Sequence, residues 1–191
     1  RKHCKKGSNL GEPPKKFGEQ LTADHLVTLD EEDQGIDDER NAVVVFDRAT
    51  KLLAVYPVAS KSAAETVKGL NHYKGTKNIK QIYTDGSEEF EAAAKVLKIL
   101  HPTSTPYRPQ TNGVAERQVR TVLEGTRTAL THSGLNVSWR PYAATHFCHA
   151  FNTIAYGLKS AEEKSPWEKV TNEQFKGERS EEHTSELQSR Q

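Results

Sequence analysis

Three acidic residues stand apart from the chain's other charges by where they fall. Asp24 lies in "LTADHLV", a stretch that reads as a strand, with Ala23 before it and Leu26 two residues on. Aspartate is disfavoured in strands, and an uncompensated charge there is costly. Asp85 stands where a second apolar run, "IKQIYT", gives way to the turn "DGS", and strand ends of α/β sheets are common places for ligands. Glu116 opens a helix that follows the turn-rich "PYRPQTNGVA". Three acids from three elements, if they converge, make an oxygen-only site for hard divalent cations. Simpler readings stand beside this one. "TDG" is an ordinary turn signal, an acid in a first helical turn suits the helix dipole, and an edge strand would tolerate Asp24.

The elements that would carry these acids can be read from periodicity and turn chemistry. "EQLTADHLVTL", "NAVVVFD" and "KLLAVYPV" read as strands, the last two joined by the short turn "RAT" as an antiparallel hairpin. "SAAETVKGLNHYKG" carries a capping box, Ser62 with Glu65, and stops at Gly75, which predicts a helix. "IKQIYT" is a fourth strand, "EEFEAAAKVLKIL" a helix and "HPTSTP" a short extended piece that supplies a fifth strand. A helix from about 114 to 131 puts Ala115, Val119, Val122, Thr126 and Ala129 on one face and Arg117, Arg120 and Arg127 on the other. Glu116 falls on the border between the two. Gly125 reads as a mild helix breaker that bends this rod. A last helix runs from Trp139 to about 156. Three strands, helix, strand, helix, short strand and helices make a mixed α/β domain, a meander leading into crossover units.

The 191 residues fit one domain plus tails. No apolar run reaches membrane-spanning length, and the basic start lacks the apolar stretch of a signal peptide. Cys4 and Cys148 are too few for a disulfide framework, which makes a reduced, intracellular setting the expectation. The absence of methionine and the start at Arg1 suggest a piece of something longer. A net charge of +1 hides an uneven distribution. Residues 1–16 carry six cations against Glu12 and read as a basic linker, either a phosphate-contacting arm or a solvated tail. Residues 30–39 carry seven acids. Gly35 there occupies the sixth place of a possible calcium loop, but Gln34 and Asn41 spoil the pattern, leaving a solvated loop. "HFCH", His146 to His149, has poor ligand geometry and reads as part of a packed helix. No nucleophile elbow supports Ser/His/Asp catalysis.

"LTADH", "IYTDGSEEF" and "STPYRPQTNGVAERQVRTVLEG", in this order, resemble the catalytic core of retroviral-type integrases, and most nearly the polyproteins of copia-type retrotransposons. "SPWEKVTNEQF" is similar to the family's closing Pro-aromatic-Glu segment, so the resemblance covers roughly residues 17–178. It implies an RNase H-like fold, with a mixed five-stranded sheet flanked by helices. It implies Asp24, Asp85 and Glu116 as a catalytic and metal-binding triad for Mg2+, replaceable by Mn2+, with two ions. The activity implied is 3′-end processing and strand transfer, joining element DNA to target DNA by a polynucleotidyl transferase that works as an oligomer in the nucleus. Loop 107–113 is then a flap, and Arg108, Gln110, Asn112, Arg117 and Arg120 are candidate DNA contacts. The arginine-bearing helix face is equally readable as a solvated one, with Glu124 near Arg120 and Arg127.

Two departures stand out. Thirty residues separate Asp85 from Glu116, fewer than is commonest in the family, and Ser87 stands where glycine is frequent. A zinc-binding module is expected upstream, of which Cys4 alone would remain. Residues 179–191, "RSEEHTSELQSRQ", resemble a translated sequencing adapter and are set outside the fold as a non-native tail. The rival functions are a non-catalytic DNA-binding or interaction module with the same fold, and an RNase H-type nuclease. The first leaves three intact acids unexplained, the second "PYRPQTNGVAER".

Overall fold

The computed structural model describes residues 13–27, 34–103, 113–154 and 164–175. The basic arm up to residue 12, loop 104–112 with Arg108, Gln110 and Asn112, and the adapter-like tail lie outside the described residues. The elements are β1 (Leu21–Val27), β2 (Asn41–Asp47), β3 (Leu53–Val58), α1 (Ala63–Lys74), β4 (Ile82–Tyr83), α2 (Glu88–Leu97), α3 (Gly113–Ser133), α4 (Arg140–Thr153) and α5 (Pro166–Thr171), with a 3-10 turn at Val137–Trp139 before α4.

The sheet runs β3-β2-β1-β4. β1 pairs antiparallel with β2 and parallel with β4, and β2 pairs antiparallel with β3. β2 is buried from Ala42 to Asp47 because helices cover both of its faces. Val43 and Val45 point into one core with Leu21, Ala23, Leu70, Ile82 and Phe90, under α1 and α2. Val44 and Phe46 point into a second core with Val55, Val122, Ala144 and Cys148, under α3 and α4. Each such aliphatic side chain stabilises the fold by about 1.5–3 kcal/mol. Pro57 is tolerated in β3 because that strand is an edge.

Three expectations need correcting. Four strands, not five, form among the described residues. Where the fifth was expected, two isolated parallel bridges, Gln81 with Leu100 and Thr84 with Thr103, hold the chain against β4. Pro102 lies between them and offers no N–H to continue a ladder. The capping box at Ser62 is half made. Ser62 Oγ accepts from the Glu65 N–H at 3.3 Å, while the Glu65 carboxylate pairs with Lys68 at 2.7 Å. The complete box is at α5, between Ser165 and Glu168. Gly125 does not break α3, which runs through it. A Cβ at Gly125 would sit 2.2 Å from the Phe147 ring, so the glycine is there to let α4 approach.

Candidate active site

β1 and β4 run parallel with Thr22 opposite Tyr83. Carrying that register two residues further sets Asp24, midway along β1, level with Asp85 just past the end of β4, on neighbouring strands about 4.8 Å apart. Side chains alternate along β1, so Asp24 faces away from the Leu21–Ala23 core and toward α3, which brings Glu116 in its first turn. Two pairing rules and one packed helix therefore direct three acids to one end of the sheet.

Electrostatics report the convergence. Asp24 is half-buried, and its carboxyl is pushed up to about 6, first by burial, then by the charge of Asp85 and, less strongly, that of Glu116. The His25 N–H, donating to Asp24 Oδ1 at 2.8 Å, and the Lys61 ammonium pull the other way. Asp85 and Glu116 are exposed. Asp85 is held by an Asx turn, with the Ser87 N–H donating to its Oδ1 at 3.2 Å. Gly86 makes this turn possible. Its φ is +83°, and a Cβ there would press on Thr103 at 3.3 Å. Behind the turn, Thr84 Oγ1 lies 2.7 Å from His101 Nε2 and accepts from the Gly86 N–H at 3.2 Å.

Lys61, His25 and Glu89 also belong to this region, and the sequence reading missed them. Lys61 precedes α1 and lies 3.7 Å from Glu89 in the first turn of α2. His25 packs on Phe90, ring centroids 4.3 Å apart, with Nε2 3.2 Å from Thr66 Oγ1. Burial, and then the Lys61 charge, hold His25 down at about 4, so it is neutral at physiological pH. No local pattern distinguishes Lys61 from the other lysines; only the packing of α1 beside β1 does.

Arg117 and Arg120 are exposed on α3, and neither forms an ion pair among the described residues. In the "HFCH" stretch, Cys148 is buried, its thiol raised by burial to about 12, while His146 and His149 are exposed. That is a packed helix, as expected.

The donors at the sheet end are all carboxylate oxygens, which suits a hard divalent cation. Among the described residues no group of three or more His, Cys, Asp or Glu side chains is drawn close enough to hold a metal. The three acids share a field without closing a ligand shell.

The mixed sheet with helices on both faces matches retroviral integrase catalytic cores, an RNase H-like architecture, in overall fold, with four strands among the described residues. The chain superposes on a chain of the simian T-cell lymphotropic virus intasome in complex with PP2A regulatory subunit B56 gamma, with a TM-score of 0.63 at 17% identity, covering 82% of this chain and 55% of that one. On the catalytic core domain of BIV integrase the TM-score is 0.56 at 17% identity, covering 88% and 99% of the two chains. No family model matches the chain. In sequence it is 30% identical over 141 residues to the retrovirus-related Pol polyprotein from transposon RE1 of Arabidopsis thaliana, covering 70% of this chain and 10% of the relative. It is 37% identical over 83 residues to the Pro-Pol polyprotein of feline foamy virus, covering 41% of this chain and 7% of that protein. The chain is a homologue of retrovirus-related Pol polyproteins, in a part of them with the fold of an integrase core. It spans about a tenth of the length of the RE1 polyprotein.

Proposed function

We propose that this domain joins retroelement DNA to target DNA, trimming element 3′ ends and then transferring them, with Asp24, Asp85 and Glu116 as the catalytic acids. The observation that carries the reading is the half-buried Asp24, whose carboxyl is raised first by burial and then by the charges of Asp85, just past β4, and Glu116, on α3. A structural carboxylate gains nothing from such neighbours, whereas a cation site needs them. Two Mg2+ ions, or Mn2+ in their place, held by the three acids would activate the attacking oxygen and stabilise the leaving one.

The chain's own residues supply position and charge. Asp24 is fixed by its strand and by the His25 N–H, and Asp85 by its Asx turn. Glu116 rides on α3, the helix that also presents Arg117 and Arg120 for phosphate contacts, which position DNA without reading its sequence. Arg108, Gln110 and Asn112 in the preceding loop would add DNA contacts. DNA ends and target are the partners, the assembly is oligomeric, and the site of action is the nucleus. The rival reading, a non-catalytic module of the same fold, draws on the open spacing of the three acids.

The test is strand cleavage of a branched DNA that mimics the joined product, in Mn2+, by residues 1–178. The wild type should cleave, and Asp85→Asn and Glu116→Gln should each lose at least about a hundredfold, the scale expected when a preorganised charge is removed. Equal cleavage by all three proteins would sink the assignment. Binding without cleavage by the wild type would favour the rival.

A further inference from the structure

Beside the acids, on the same face of the sheet, lies a hollow that the catalytic reading does not use. It is open, ≈ 170 Å³, and lined by Lys51, Lys164, Lys169, Gln118, Phe46 and Phe151. Three lysines are gathered there, Lys51 from the β2–β3 turn, Lys164 from the segment just before α5 and Lys169 from its last turn. The Lys51 backbone takes a φ of +70°, its Nζ donates to the Arg48 carbonyl at 2.7 Å, and Nζ lies 5.9 Å from the Phe46 ring centroid.

No carboxylate pairs with these lysines among the described residues, where the ion pairs involve Lys61, Lys68, Lys80 and Lys95. The nearest buried acid, Asp47, already accepts from Gly18 and Thr50. The Lys51 ammonium is held below its usual range by burial, then by Arg48 and, less, by Lys169, with Asp47 opposing. The protein thus keeps like charges together at a cost that a polyanion would relieve.

Its place in the fold says which polyanion. Phe46 is two residues along β2 from Val44, the partner of Asp24, or roughly 7 Å at strand rise. Gln118 is two residues beyond Glu116 on α3, close along the helix axis although the two side chains leave it in different directions. We infer that this hollow is a phosphodiester-binding site. There Lys51, Lys164 and Lys169 hold the backbone of the DNA strand about two nucleotides from the phosphate that reacts at Asp24. That span follows from a rise of about 3.4 Å per nucleotide. The inference rests on the DNA-joining reading above and adds a second anchoring point to it.

The test measures binding of the branched DNA by fluorescence anisotropy over a salt series, in EDTA, with the full chain. Replacing both Lys51 and Lys169 by glutamine should weaken binding about tenfold near physiological salt. It should also flatten the dependence of log affinity on log salt by about 1–2, the loss of one or two phosphate contacts. The arginine pair should bind like the wild type. Lys169→Gln alone, an exposed change with no side-chain hydrogen bond to lose, should weaken binding about threefold and separates a lost contact from a lost fold. On a DNA trimmed to one nucleotide beyond the reacting phosphate, wild type and glutamine pair should bind alike. Unchanged affinity and slope in the glutamine variants would overturn the site, and a deficit that persists on trimmed DNA would overturn its placement. A wild type that binds no DNA would overturn the DNA-joining reading itself.

Discussion

Asp24 and Asp47 lie on adjacent strands of one sheet, both drawn out of water, and the fold treats them in opposite ways. Asp47 is fully buried and met by donors: the Gly18 N–H at 3.0 Å, the Thr50 N–H at 2.7 Å and the Thr50 hydroxyl at 2.8 Å. It ties the segment before β1 to the β2–β3 turn. Asp24, three residues along the β1–β2 ladder from the Leu21–Asp47 pair, accepts from the His25 N–H but also meets the opposing charges of Asp85 and Glu116. Burial alone therefore does not mark a functional acid. On the proposed function, what marks Asp24 is that acidic neighbours oppose its charge, a cost that a bound cation would relieve.

The largest effect that would sharpen this contrast lies at the satisfied end. Asp47→Ala strands two N–H groups and a hydroxyl in a dry site, and should destabilise by about 3 kcal/mol. For a chain of this size that is roughly 6–12 °C in melting temperature. Thermal or denaturant unfolding measures it. A loss below about 1 kcal/mol would mean that water replaces the carboxylate, and the contrast with Asp24 would weaken.

Asp24→Asn should move stability the other way. The folded carboxyl titrates near 6 against 3.8 when free. Between those values the folded state binds more protons, so ionising Asp24 lowers stability as pH rises through this window. The asparagine variant should be more stable than the wild type by about 1–2 kcal/mol at pH 7–8, discounted for partial exposure. The gain should shrink as pH falls through 6 and vanish below about pH 4. His25 must be separated out, because its sign is opposite. Held at about 4, it contributes stability that is present above 6.5 and lost as pH falls toward 4. The wild-type profile sums the two opposing slopes, and only the difference between the two proteins, in EDTA, isolates Asp24. A variant less stable than the wild type at pH 8 would show that Asp24 is a structural acid like Asp47.

Most of the frame was legible in the sequence because it is written in local signals. The β-branched apolar run "NAVVVFD" returned β2 residue for residue, and Ser62 and Gly75 bracketed α1. What the sequence hid depends on contacts between distant residues. Gly125 looked like a weak point of α3, but its reason is Phe147 of α4, a residue 22 positions away. Asp47 drew no notice, since its donors come from the stretch before β1 and from a turn. Lys61 became visible only with α1 packed beside β1. Of the candidate site, the three acids drew attention by their misfit to local rules and by family likeness. Their shared field needed the parallel β1–β4 register, which no single segment encodes.

The smallest effect is the one that asks most of the comparison. On the proposed function, Mg2+ relieves at Asp24 the repulsion that Asp85 and Glu116 impose there. At ten times its dissociation constant a ligand of the folded state stabilises by about 1.4 kcal/mol, or roughly 3–6 °C here. The wild type should show this rise between EDTA and millimolar Mg2+. Asp24→Asn should start higher and gain little, since it has already lost the charge that the ion would neutralise. Asp47→Asn, at the satisfied end, should start lower and gain the full increment. The readout is melting temperature without DNA, so it tests cation binding apart from cleavage. If all three proteins rise together, Mg2+ binds elsewhere and the raised carboxyl of Asp24 reflects burial rather than a site. If the Asp47 variant alone is blind to Mg2+, the satisfied acid and not the opposed one governs the cation.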